Sequence, residues 1–190
     1  MAEFHEMPKI EEVGHDKAEQ PNFTEHLERN SAMVSGSPSS VLKGVSDRMV
    51  NSGVMPATDP GDLAQTLGDA AVALNNTDIG FSGDGGRSSG AAVSTILRAA
   101  GGDIEQTANI QDLNAQLKER GWTSEEYKPG DALKPGDLLF TSMNPQGRNV
   151  GIVGADGRIY SHSHGEGVFT GHDRWTSRFS TVMRAPSRDL

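Results

Sequence analysis

Between residues 39 and 120 apolar residues recur every three to four positions, and beyond Trp122 they come in short runs and alternations. The first period predicts helices and the second predicts strands. Ser39 or Ser40 is placed to cap a helix through about Asn51, with Val41, Leu42, Val45 and Met49 along one face. Asp59-Pro60 reads as a helix start with Pro in the first turn, followed by Leu63, Leu67, Ala71 and Leu74 at helical spacing. After the Gly-, Asn- and Ser-rich loop NNTDIGFSGDGGRSSG, a helix is predicted from Ser88 or Ser89 to about Ala100, stopped by Gly101-Gly102. Another runs from Ile110 to Arg120 and stops at Gly121. Asp137–Thr141, Val150–Val153 and Arg158–His162 read as strands, the last two joined as a hairpin by the tight turn Ala155-Asp156-Gly157. Val168-Phe169 and Ser180–Arg184 supply two more. Helices first and an antiparallel meander afterwards give an α+β layout, with the helices on one face of a small sheet.

Residues 1–38 break this pattern. Their apolar residues are isolated and Pro8, Pro21 and Pro38 punctuate them, so they read as an extended polar arm. Residues 39–84 form a helical region, and residues 85–190 carry the best apolar runs and read as the main domain. A chain of 190 residues is the size of one domain with an appendage. The hydrophobic share, 34%, is low for a chain that is globular throughout, so the core must be concentrated outside the arm.

Charge narrows the partners. Eight acids and three bases in residues 1–30 place −5 of the net −9 in the arm. A net-acidic chain without a long Lys/Arg run is a poor match for nucleic acid or an anionic membrane. Neither a secretory leader nor a membrane-inserting stretch is expected, because the first residues are acidic and no apolar run reaches about 18 residues. The partner expected of the arm is a protein, or an assembly that it wraps. Cysteine is absent, which excludes disulfides, thiolate metal sites and a Cys nucleophile.

Three runs carry the chemical information: Ser89-Gly-Ala-Ala-Val-Ser-Thr-Ile-Leu97 opening a helix, Leu133-Lys-Pro-Gly-Asp-Leu-Leu-Phe140 launching a strand, and Asn149-Val-Gly-Ile-Val-Gly-Ala-Asp-Gly-Arg-Ile-Tyr160 forming the hairpin. In this order they resemble the NlpC/P60 family of papain-like cell-wall peptidases and amidases, over about residues 85–185. In that family a C-S-G-F-V motif opens the helix, L-K-P-G-D-L-V-F precedes the sheet and H-V-G-I-Y begins the next strand. The resemblance implies a papain-like fold. It also implies a Cys at a helix N-terminus, a His base on the facing strand and a third polar residue that orients the ring.

Carried over residue by residue, the Cys position is Ser89 and the His position is Asn149. The orienting position is Ser161, or His162 if the hairpin holds a bulge. A serine hydroxyl gains far less than a thiol from a helix dipole and needs a base, and an amide has no usable proton affinity near neutral pH. The two departures together imply a degenerate member, a structural or binding protein such as a phage virion or tail-associated component, with or without a groove for a peptidoglycan peptide. Such a protein is expected in a virion, in the bacterial cytoplasm, or exported by a route without a leader. The competing expectation is an active peptidoglycan hydrolase with Ser89 as nucleophile and His162 or His164 as a displaced base. On a strand those two histidines share a face, opposite Ser161 and Ser163.

Two weaker signals complete the inventory. His162, His164 and His172-Asp173 have metal-ligand chemistry on spacing alone, and no metal or other cofactor is expected from it. The Gly-rich loop Ser82–Ser89 precedes a helix but lacks the Lys of a phosphate-binding loop.

Overall fold

A computed structural model describes residues 37–81, 85–141, 149–162, 167–173 and 175–186. The arm, apart from Ser37 and Pro38, lies outside the described residues, as does His164. The described chain is mixed α+β: four α-helices and one six-stranded antiparallel sheet.

Helix α1 spans Pro38–Asn51. Its cap is Ser37 rather than Ser39 or Ser40: the Ser37 hydroxyl accepts the Ser40 N–H, and Pro38 takes the first helical position, where no N–H is needed. Val41, Val45 and Met49 form its buried stripe. Asp59 caps a short 3-10 turn, Pro60–Asp62, that runs into α2, Leu63–Ala73. Helix α3 spans Gly85–Ala99. It ends as expected, with Gly101 in the left-handed region (φ 100°) and the Gly102 N–H reaching back 2.8 Å to the Leu97 carbonyl. It begins four residues before Ser89. Gly85 and Gly86 have poor helix propensity, but the burial of Ser89, Ala92, Val93 and Ile96 outweighs about 1 kcal/mol per glycine. Helix α4, Ile110–Glu119, is capped by the Asn109 side chain on the Gln111 N–H.

The strands are β1 Thr123–Glu126, β2 Leu138–Thr141, β3 Val150–Val153, β4 Ile159–His162, β5 Phe169–His172 and β6 Phe179–Arg184. Their order across the sheet is β1-β6-β2-β3-β4-β5, so the expected meander holds from β2 to β5 only. The last strand returns to pair with β2 on one side and β1 on the other. Strand β1 carries no apolar alternation and all four of its residues are exposed. It exists because β6 offers it a ladder, and Glu125 and Glu126 keep that edge charged. The opposite edge, β5, is covered: the Phe169 N–H donates to the Thr77 carbonyl and the Gly171 N–H to Asn75 Oδ1.

Alternation along the strands divides their side chains between two cores. Leu138, Phe140, Val150, Ile152, Tyr160, Phe169 and Met183 join the helices in the main core. Leu139, Val153, Ile159, Phe179 and Val182 form a second cluster on the other face, closed by Tyr127 and Leu133. The main core runs without a break from Val41 in α1 to Met183 in β6, so residues 39–84 and the sheet share one interior.

The Leu133–Phe140 run explains that sharing. Gly136 has φ 82°, and a Cβ there would lie 2.1 Å from the Ala64 carbonyl oxygen of α2. A Cβ on Gly68 would lie 2.8 Å from Pro135 Cβ, and the Ala155 N–H donates to the Gly68 carbonyl. Two glycines thus let the turn before β2 rest directly on α2. Asp137, 4% exposed, closes that turn by accepting the Lys134 N–H at 2.9 Å and Arg184 Nε at 3.4 Å.

Candidate functional site

Ser89 is the fifth residue of α3, not its first. The pull of a helix N-terminus fades within the first turn, so the dipole expected to act on this position is largely spent before it. The Ser89 side chain is fully buried, and its Oγ accepts the Val150 N–H at 3.3 Å. Val150 opens β3 directly after Asn149. On the other side of the same peptide segment, the Ser161 hydroxyl donates 2.7 Å to the Val150 carbonyl, and Ser161 is also fully buried. The three matched positions therefore converge on one short stretch of backbone, the entry to β3. Ser161 bonds main chain there instead of orienting the Asn149 side chain.

Asn149 is half-buried and its main chain is fixed by Thr141. The Asn149 N–H donates to Thr141 Oγ1 at 2.8 Å, and the Asn149 carbonyl accepts the Thr141 N–H at 3.0 Å. Its side-chain Oδ1 is buried and has no hydrogen-bond partner among the described residues. An amide oxygen there can accept a hydrogen bond, but it cannot take a proton from a hydroxyl. Thr141 gave no sequence signal, because it acts on backbone groups that any residue at 149 would present.

His162 is 3% exposed and faces Phe169 in the β4–β5 register. Alternation puts it with Tyr160 and Phe169, on the sheet face against which α3 packs. His172 is opposite Ile159 in the same register, and Ile159 belongs to the cluster on the other face. The two histidines therefore point to opposite sides of the sheet. Asp173 is engaged by Arg158 Nε at 2.8 Å. Among the described residues no group of three or more His, Cys, Asp or Glu side chains is arranged to hold a metal ion.

The hairpin run is built around Tyr160. A Cβ on Gly154 would come within 2.5 Å of its ring and one on Gly171 within 2.7 Å, so the two glycines make room for the ring. The Tyr160 hydroxyl donates to Asp156 Oδ2 at 2.8 Å in the turn. Burial first, and then Asp156, push the Tyr160 phenol up to about 12. Trp122 and Tyr127 are both buried, Trp122 in the main core and Tyr127 in the second cluster. No helix among the described residues is long and apolar enough to cross a membrane.

Comparison with family models, curated proteins and solved structures returned no significant match.

Proposed function

We propose that this chain is a catalytically degenerate NlpC/P60-like domain with a papain-like layout, acting as a structural or binding protein. Its role is that of a packing module in an assembly such as a phage virion or tail, joined to a protein partner through the N-terminal arm. A retained groove for a peptidoglycan peptide is compatible with that role.

The observation that supports this reading is the state of Ser89. A nucleophile must meet substrate and hand its proton to a base. The Ser89 hydroxyl is fully buried, accepts a main-chain N–H from β3, and neighbours a strand entry where the matched base position is an amide. That is the behaviour of a tie between helix and sheet.

The second reading, an active hydrolase, is favoured by one observation: His162 lies on the sheet face that packs against α3. A digest of purified peptidoglycan fragments read by mass spectrometry separates the two. The expected result is no new amine or carboxyl end with the chain as it stands. The same digest is run with the double variant Ser89→Cys, Asn149→His. Cleavage by that variant alone supports a groove that has lost only its chemistry. Cleavage by the unmodified chain overturns the proposal in favour of a serine hydrolase.

A further inference from the structure

Three large hydrophobic side chains stand exposed among the described residues: Val50, Met55 and Val72. Two of them, Met55 at 65% exposed and Val72 at 37%, line a single groove of about 650 Å3. The groove opens where the loop after α1, the outer side of α2 and the β3–β4 turn meet. Val54 and Ala73 extend its apolar lining, while Asp69 and Asp156 are its charged residues. No Lys or Arg lines it among the described residues. Arg158, two positions from Asp156, is held by Asp173 and by the Gly171 carbonyl, each at 2.8 Å. The groove follows the last residue of β3, whereas the Ser89 contact is at the first, so the two sites lie at opposite ends of that strand.

A concave apolar surface with anionic walls selects its occupant by both properties. Exposed methionine adapts to different apolar side chains, and carboxylates favour cations: Asp69 meets the neutral Gln65 amide, and Asp156 the Tyr160 hydroxyl and the Arg158 N–H. We propose that this groove docks a cationic segment of a protein partner, seating an apolar side chain against Met55 and Val72 with a flanking Lys or Arg at Asp69 and Asp156. The chain's own arm has the wrong charge for this place, since residues 1–30 carry −5. A second copy brings a further −9 and meets the same repulsion. The inference is independent of the reading of Ser89.

The test uses the full chain, isotope-labelled, titrated with three blocked hexapeptides and followed by amide chemical shifts. The probes are Lys-Leu-Arg-Leu-Lys-Gly, its acidic counterpart Glu-Leu-Glu-Leu-Glu-Gly and the polar counterpart Lys-Ser-Arg-Ser-Lys-Gly. The first is expected to shift the amides of Val54, Met55, Val72 and Ala73, and to bind at least about tenfold more tightly than either counterpart. Added salt weakens it. Asp69→Asn and Met55→Ser each weaken it by about threefold or more. Both positions are surface-accessible, so the variants fold, and an unchanged thermal midpoint checks this. Equal binding of the acidic peptide, shifts confined to another surface, or no shifts at all overturn the proposal. A dimer of the unmodified chain that Met55→Ser dissociates also overturns it, by making a second copy the occupant.

Discussion

The Val150 N–H donates to the Ser89 hydroxyl at 3.3 Å, joining β3 to a helix residue 61 positions earlier in the chain. The Val150 carbonyl accepts the Ser161 hydroxyl at 2.7 Å, so one peptide segment is held from α3 and from β4 at once. Removing the Ser89 oxygen leaves a buried N–H without its acceptor, at a cost of about 1–3 kcal/mol. Ser89→Ala is therefore expected to lower the unfolding free energy in urea by that amount, and Ser161→Ala by about 1 kcal/mol. The double variant is expected to depart from the sum, because the two bonds share one residue. A Ser89→Ala variant as stable as the parent would mean that Ser89 does not hold the strand.

The turn before β2 rests on α2 through Gly136. Gly136→Ala places a Cβ 2.1 Å from the Ala64 carbonyl oxygen, on a backbone at φ 82°. The left-handed conformation costs about 1–2 kcal/mol for an L-residue, and forcing the turn off the helix adds about 1–3 kcal/mol. Gly130→Ala is the internal control: its φ is 102° and nothing lies within 4 Å of the added carbon. Gly136→Ala is expected to lose at least about 1–3 kcal/mol more than Gly130→Ala in denaturant unfolding. Equal losses would remove the contact between the turn and α2 from the account.

Asp137 gives the fold a pH dependence with a definite sign. Burial raises its pKa above the ordinary 3.8, and the Lys134 N–H and Arg184 only partly offset this. The folded protein then keeps a proton that the unfolded chain has released. The contribution is fully present below about 3.8 and is lost as pH rises through the raised folded value. Asp137→Asn imitates the protonated side chain and still accepts the Lys134 N–H. The stability of the parent minus that of the variant is expected to fall with rising pH just above 3.8 and then level off. A difference that rises across that window would mean that Arg184 outweighs burial.

Tyr160 is expected to ionise near pH 12, against 10.0 for a free phenol. The folded value is the raised one, so its contribution to stability is intact below pH 10 and disappears as pH climbs through about 12. Tyr127, the other tyrosine, is also raised by burial and by Asp131, so the titration is read in a Tyr127→Phe background by phenolate absorbance. Asp156→Asn removes the charge and leaves one acceptor oxygen for the Tyr160 hydroxyl and the Arg158 N–H together, and is expected to lower the midpoint while leaving it above 10. A Tyr160 midpoint at 10 in the parent would contradict the buried, bonded ring.

These residues also mark what the sequence conveys and where it stops. The Asp156-Gly157 turn, the Gly101-Gly102 stop and the helix from Ile110 that stops before Gly121 were legible because each rests on local backbone chemistry. The start of α3 was not, since Gly85-Gly86 has the propensity of a loop and becomes helical through burial of later residues. Strand β1 was invisible because Thr-Ser-Glu-Glu has no apolar alternation and takes its conformation from β6. The return of β6 between β1 and β2 is a tertiary choice that no local pattern encodes. At the candidate site, the family resemblance singled out Ser89, Asn149 and Ser161, which the fold brings to one strand entry, but their contacts are with the backbone of Val150 and with Thr141. Backbone partners leave no signature in side-chain identity.

The central proposal is that Ser89 serves as a tie between helix and sheet and not as a nucleophile. The most direct measurement is reaction of the full chain with a fluorophosphonate, which modifies activated serines whatever their natural substrate, followed by mass spectrometry of the Ser89 peptide. The account predicts no adduct on Ser89 under conditions that label a serine hydrolase completely. A stoichiometric adduct on Ser89 that disappears in His162→Ala would contradict it and make this chain an enzyme.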